Sequence, residues 1–119
     1  MSLQAGASFP RRGEIYDVDF NPARGNEQGG RRPALVVSND VSNEHSGVVI
    51  VAAITSQAAR RQYPWDIALP AGDPLPLEGR VMCNQLMTVA KARLLTRRGE
   101  LSADQLLALK PALQLSLSL

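Results

Sequence analysis

The sequence predicts a small, mostly antiparallel β domain that ends in one helix, and three observations carry this prediction. Residues 14–20 alternate with the period of a half-buried strand. Two short runs, 34–37 and 48–54, are apolar and mostly β-branched, a composition typical of buried strands. The last stretch, 102–117, repeats leucine at helical spacing.

The length of the chain fits one domain. At 119 residues it has room for a single hydrophobic core. Residues 1–10 lack the basic start and long apolar centre of a secretory signal, so we interpret them as a flexible N-terminal arm. We expect one domain over residues 11–119.

The first predicted strand has two unlike faces and is followed by a loop. Tyr16, Val18 and Phe20 share one face with Glu14. Residues 21–30 are rich in Gly, Asn and Pro and contain almost no apolar side chains, so they predict a mobile loop.

The middle of the chain predicts the rest of the sheet. A polar loop over 40–47 separates the two apolar strands. A weaker strand over 65–69 precedes a link rich in Pro and Gly, and the segments 80–83 and 87–89 complete the sheet. Five or six strands are expected in all.

The C-terminal helix has a clear beginning. Ser102 and Gln105 have the spacing of a capping box, in which each side chain bonds the other residue's backbone N–H. Leucines at 106, 109, 113 and 117 then form one helical stripe. Pro111 cannot donate a backbone hydrogen bond, so the helix is expected to bend or restart there.

Composition excludes several kinds of chemistry. His45 and Cys83 are the only residues of their types, which excludes an intramolecular disulfide, a catalytic histidine pair and a zinc site without scattered carboxylates. An unpaired cysteine fits a reducing cytoplasm. No phosphate-loop lysine, dinucleotide-binding glycine pattern or nucleophile elbow occurs, and no apolar run is long enough to span a membrane. Catalysis would therefore depend on Arg, Thr, Ser, Gln or isolated carboxylates.

Arginine dominates the positive charge. The formal net charge is only +2, but 11 of the 13 basic residues are Arg. Arg suits phosphate because its planar fork donates two parallel hydrogen bonds and stays charged. The same enrichment arises from base composition, so arginine doublets alone are a weak signal for nucleic acid.

A register argument selects one of these arginines. If the two apolar strands form a hairpin about residues 40–47, Val37 lies opposite Ile50 and Arg32 lies opposite Thr55. A fixed cation and a hydroxyl donor would then meet where both strands leave the core. Such a pair suits a phosphate group. A slip of one residue would separate them.

At these residues the chain resembles the MazF/PemK toxins of bacterial toxin–antitoxin modules. The resemblance extends over most of the chain, roughly residues 11–117, and its most specific part is a Glu-Gln-Gly-Gly-x-Arg-Pro-Ala stretch. The segments that carry it are Arg12-Gly13-Glu14-Ile15-Tyr16, Gly25-Asn26-Glu27-Gln28-Gly29-Gly30-Arg31-Arg32-Pro33-Ala34-Leu35-Val36-Val37-Ser38 and Ala53-Ile54-Thr55-Ser56-Gln57.

The resemblance implies a fold, an activity and partners. Members of that family are small Src-homology-3-like barrels of the CcdB/PemK type that form homodimers. They are sequence-specific, metal-independent endoribonucleases that need no cofactor and cut single-stranded RNA, including mRNA. An acidic antitoxin neutralises them.

The resemblance also assigns roles to residues. It implies that Arg32 and Thr55 are catalytic, the same pair that the register argument brings together. Glu27 is the expected proton acceptor, because Arg32 keeps its proton. The expected substrate-binding residues are Gln28, Arg31, Ser56, Gln57 and Gln85. Asn84 stands where the family usually has Asp, which bears on base preference.

The sequence is also compatible with purely structural roles for these residues and with two alternative functions. Arg32 could be a surface cation and Thr55 an ordinary strand residue. Trp65 is expected to face the core, although it could stack on a base. One rival is a CcdB-like toxin that binds gyrase and cleaves nothing, because fold alone does not decide function. The other is a barrel that binds RNA without cutting it.

Overall fold

The described part of the chain forms six strands and two α-helices. The structure, a computed structural model, describes residues 8–21, 30–56 and 61–119. In chain order the elements are β1 (Glu14–Asp19), β2 (Arg31–Val36), α1 (Asp40–His45), β3 (Val48–Thr55), β4 (Asp66–Leu69), β5 (Gly79–Ala90), a 3₁₀ turn (Lys91–Arg93), β6 (Leu94–Glu100) and α2 (Ala103–Leu117).

All strands belong to one antiparallel sheet in the order β4-β5-β3-β2-β1-β6. This confirms the mainly β fold class with a C-terminal helix. The sheet is not closed, because β4 and β6 form its two edges and do not pair with each other. The six-stranded sheet is therefore open between these two edges.

Both faces of the central strands are buried. Along β2, Leu35 belongs to one apolar cluster, and its neighbours Ala34 and Val36 belong to the other. Because successive side chains of a strand point to opposite faces, one apolar core forms on each side of the sheet. Leu109 and Ala112 of α2 complete the first cluster, so this helix covers one face.

Residues 40–45 form a short helix where the sequence predicted a loop. The Asn39 side chain accepts a hydrogen bond from the Ser42 N–H and caps α1. The fully buried Asn43 accepts from the Ser38 hydroxyl and donates to the Ser38 carbonyl and to Asp40. These polar contacts fix the connection between β2 and β3.

The second half of the sheet differs from the sequence prediction in two ways. Segments 80–83 and 87–89 belong to one strand, β5, whose pairing with β3 jumps from Leu86 to Met82 at a bulge. Strand β6 was not predicted; it pairs with β1 and forms an edge of the sheet.

Helix α2 begins as the sequence predicted. Ser102 and Gln105 form the reciprocal capping box. The helix runs through Pro111 as one element, so the predicted restart is wrong. In the part of the chain that the structure describes, no helix is long and apolar enough to cross a membrane.

Candidate active site

The pairing of β2 with β3 has the register that the sequence predicted. Ala34 lies opposite Ala53 and Val36 opposite Val51. Extended by two residues beyond the pair Ala34–Ala53, the same register places Arg32 opposite Thr55, where β2 begins and β3 ends. Their alternation puts both residues on the face of the sheet that carries Ala34 and Val51.

Arg32 and Thr55 line one cavity at this end of the sheet. Its volume is about 570 Å³, within the range of roughly 300–1,000 Å³ that small-ligand sites occupy. The cavity is bounded by the ends of β2 and β3, the start of β5, the segment before β5, and one residue of β6. Its lining residues are Arg32, Pro33, Ile54, Thr55, Ser56, Leu75, Pro76, Leu77, Glu78, Gly79, Met82, Gln85 and Arg98.

The structure brings together four of the residues that the sequence selected. Arg32, Thr55, Ser56 and Gln85 all line the cavity. Arg31 is exposed at the start of β2, opposite Asp19, and does not line it. The remaining expected site residues, Glu27, Gln28 and Gln57, lie outside the described residues.

Strand β5 holds Thr55 from the other side, a feature that sequence reasoning missed. Thr55 pairs with Arg80, and the preceding Gly79 is buried against the Thr55 backbone. A β-carbon built on Gly79 would lie 2.5 Å from the Thr55 carbonyl oxygen. Only glycine therefore fits this approach without displacing β3.

Among the residues that the structure describes, two cations and one carboxylate line the cavity. Arg32 and Arg98 contribute the positive charges, and Glu78 contributes the carboxylate. The Arg98 side chain donates from Nη1 to both oxygens of Asp17, at 3.0 and 3.2 Å. The sequence offered only an Arg doublet as a signal for Arg98, because β6 was not predicted.

Burial raises the pKa of two weak acids, Cys83 and Tyr16, which are protonated at neutral pH. The fully buried thiol of Cys83 has a pKa raised to about 11 because desolvation disfavours the thiolate. The pKa of Tyr16 is raised to about 12, first by burial and then by the nearby negative charge of Glu14. Neither side chain supplies a nucleophile or a base at neutral pH.

Trp65 packs against the first apolar cluster, which confirms the core-facing interpretation. It also stacks on Tyr63 with ring centroids 4.8 Å apart and nearly parallel planes. The Tyr63 ring covers the Trp65 ring, so Trp65 is occupied by contacts within the protein.

The lining chemistry suits a phosphodiester. Fixed guanidinium groups neutralise a phosphate, and hydroxyl and amide groups at Thr55, Ser56 and Gln85 can bond its oxygens or a base. The fold and the cavity together define an antiparallel-sheet protein, with a C-terminal helix, whose cavity is lined by arginine and hydroxyl side chains.

The chain belongs to the PemK-like, MazF-like toxins of type II toxin–antitoxin systems, whose family model matches residues 11–117. It is 41% identical to endoribonuclease MazF9 of Mycobacterium tuberculosis over 115 residues, covering 92% of this chain and 97% of that protein. It is 36% identical to endoribonuclease EndoA of Bacillus subtilis over 110 residues, covering 92% and 95%.

Solved structures agree with this membership. The MazF structure from Deinococcus radiodurans superposes with a TM-score of 0.78 at 32% identity, covering 94% of this chain and 99% of that one. A mycobacterial endoribonuclease solved in complex with its cognate antitoxin superposes with a TM-score of 0.77 at 30% identity, covering 92% and 96%. The similarity extends over nearly the full length of both chains.

Proposed function

We propose that this chain is an endoribonuclease toxin that cleaves single-stranded RNA, including mRNA, at specific sequences. The observation that carries the proposal is the shared cavity of Arg32 and Thr55. Full-length similarity to two proteins named as endoribonucleases supports it. The same similarity favours cleavage over the two rivals, gyrase binding and RNA binding without cutting.

The proposed reaction is an internal transesterification. The ribose 2′-oxygen forms a bond to the adjacent phosphorus while the bond to the 5′-oxygen breaks, leaving a 2′,3′-cyclic phosphate and a 5′-hydroxyl. Because the nucleophile is the 2′-hydroxyl, RNA is cut and DNA is spared. No metal and no cofactor are required in this scheme.

Each catalytic side chain has a proposed task. Arg32 stabilises the extra negative charge of the pentavalent phosphorane, and Thr55 donates a hydrogen bond to a non-bridging oxygen. A guanidinium is a permanent cation, so the role of base is not assigned to Arg32. We assign the proton from the 2′-hydroxyl to Glu27, and the 5′-oxygen takes up a proton as it leaves.

The proposed substrate contacts extend from the reacting phosphate. Ser56 and Gln85 line the cavity beside the catalytic pair, and Arg31 precedes Arg32 on β2. Gln28 and Gln57 complete the proposed set. Asn84 adjoins Gln85 and is exposed. An amide both donates and accepts hydrogen bonds, so it reads a base differently from the carboxylate usual in the family.

We further propose that the protein acts in the cytoplasm as a homodimer and that a cognate acidic antitoxin inhibits it. The mycobacterial relative solved with its antitoxin supports the second part. The basic character of this chain, with a pI of about 9.1, suits an acidic partner.

The function is tested by incubating the purified protein with a mixed-sequence RNA in EDTA and mapping the product ends. We expect cuts at a defined sequence, with cyclic-phosphate and 5′-hydroxyl termini, and no cutting of the matching DNA. Bound but intact RNA would support the non-catalytic rival. Cleavage without EDTA that disappears when EDTA is added would contradict the metal-independent scheme.

A further inference from the structure

Arg98 lines the same cavity as the proposed catalytic pair, and nothing in the proposed reaction uses it. It comes from β6, the edge strand, whereas Arg32 comes from β2. The cavity is too large for a single phosphate group, because its volume of about 570 Å³ is that of a small-ligand site. Arg98 therefore supplies a second positive charge in a cavity that has room for a second group of the substrate.

A bulge in β6 places Arg98. Arg97 pairs with Tyr16 and Gly99 pairs with Ile15, which are consecutive on β1, so Arg98 is an extra residue on β6. Bulges of this kind redirect a side chain relative to the regular strand. The redirected side chain reaches the cavity, while that of Arg97 bonds Glu14 on β1.

Gly99, the residue after Arg98, packs the bulge closely against the segment that lines the cavity. Gly99 has φ +147°, and a β-carbon on it would lie 2.6 Å from the Pro74 side chain. Pro74 directly precedes the lining segment 75–79. Glycine at 99 thus lets β6 pack close to that segment and brings Arg98 to the site.

Asp17 orients the guanidinium and leaves donors available. Both Asp17 oxygens accept from Nη1, and no described residue accepts from Nε or Nη2 of Arg98. The side chain of Arg98 is 33% exposed, so those donors can be reached from the cavity. An arginine held through one nitrogen still presents N–H donors with the geometry that phosphate oxygens need.

We propose that Arg98 binds a phosphate of the RNA backbone that neighbours the reacting phosphate, and that Asp17 holds it in place for this. The proposal rests on the proposed function of the cavity. Arg98 thereby sets affinity and substrate position, and it takes no part in bond breaking.

The test uses RNA with a 2′-deoxy group at the mapped cleavage site, which binds without being cut. Dissociation constants are measured against salt concentration for wild type, Arg98→Gln, Arg98→Lys and the control Arg97→Gln. Each phosphate near the cut is then replaced in turn by an uncharged methylphosphonate. Cleavage of ordinary RNA by the wild type and thermal unfolding of every variant are measured alongside.

We expect Arg98→Gln to weaken binding about tenfold and to lower the slope of log Kd against log salt by about 0.7, the value for one phosphate contact to a single strand. Arg98→Lys should keep the slope, and Arg97→Gln should behave as wild type. A methylphosphonate at one phosphate next to the cleavage site should weaken RNA binding by the wild type and leave RNA binding by Arg98→Gln unchanged.

Two results would overturn the inference while leaving the function intact. One is that the wild type cleaves RNA while Arg98→Gln shows the same slope of log Kd against log salt as the wild type. The other is equal weakening by Arg97→Gln. If the wild type neither binds nor cuts RNA, the proposed function fails, and the role of Arg98 fails with it.

Discussion

Gly79 packs so closely against Thr55 that the backbone of one fixes the position of the other. A β-carbon at position 79 would lie 2.5 Å from the Thr55 carbonyl oxygen, a distance that real contacts essentially never show. The contact joins the start of β5 to the end of β3, where the proposed catalytic hydroxyl lies. The geometry of the site therefore depends on a residue with no functional group.

Replacing Gly79 by Ala should displace Thr55 and slow RNA cleavage. A shift of about 1 Å in a catalytic group lowers rates by up to roughly a hundredfold, so we expect a loss of tenfold to a hundredfold in kcat. Gly47→Ala is the matched control, since a β-carbon there meets nothing within 4 Å. In a Thr55→Val background, which already lacks the hydroxyl, the effect of Gly79→Ala should shrink; an undiminished effect would show that Gly79 acts elsewhere.

The Thr55 hydroxyl should matter more than the shape of its side chain. Thr55→Val keeps the β-branched form that suits a strand and removes the donor, so we expect cleavage to fall about a hundredfold with little change in stability. Thr88→Val, on the exposed surface of β5, provides the control. Full activity in Thr55→Val, measured as initial cleavage rate, would remove Thr55 from the mechanism.

Alkaline pH should destabilise the fold through Cys83. Its pKa is raised from 9.0 to about 11, so the unfolded chain releases the thiol proton first. The contribution of the protonated thiol to the free energy of unfolding is therefore fully present below pH 9. It is lost as the pH rises to about 11, at a cost of at most roughly 2–3 kcal/mol. Urea unfolding at pH 7 and pH 10.5 measures this. Cys83→Ala should show a smaller decline; an identical decline would assign the loss to other groups, such as Tyr16.

The C-terminal helix should be held to the sheet mainly by Leu109. This side chain is fully buried in the first apolar cluster, so Leu109→Ala should lower the free energy of unfolding by about 2–5 kcal/mol. Leu107 on the same helix is 76% exposed, and Leu107→Ala should change it by less than about 0.5 kcal/mol. Equal losses in chemical denaturation would mean that Leu107 is covered by a partner.

The sequence was sufficient for the part of the site that rests on buried strands. Burial on both faces specifies the register of β2 and β3, because a slip would exchange the two apolar clusters. The register in turn aligns Arg32 with Thr55. The motif around Arg32 supported the same pair independently.

The contribution of β6 to the cavity was not predictable from the sequence, and the reasons are physical. Strand β6 is an edge strand with mostly exposed side chains, so it lacks the alternation that identifies half-buried strands. Arg98 reaches the site only through a bulge, which depends on Gly99 fitting against Pro74. The short helix α1 likewise depends on hydrogen bonds between the buried Asn43 and Ser38, and the polar sequence around Asn43 does not reveal that its side chain is buried.

The central claim is that Arg32 and Thr55 form an RNA-cleaving site, and Arg32→Ala tests it most directly. The measurement is the initial rate of RNA cleavage in EDTA, compared with wild type at matched concentration, together with the thermal unfolding temperature. Arg32 is exposed near the start of β2, so its loss should leave unfolding nearly unchanged and abolish cutting. Cleavage at the wild-type rate, or a large drop in unfolding temperature, would contradict a catalytic role for Arg32.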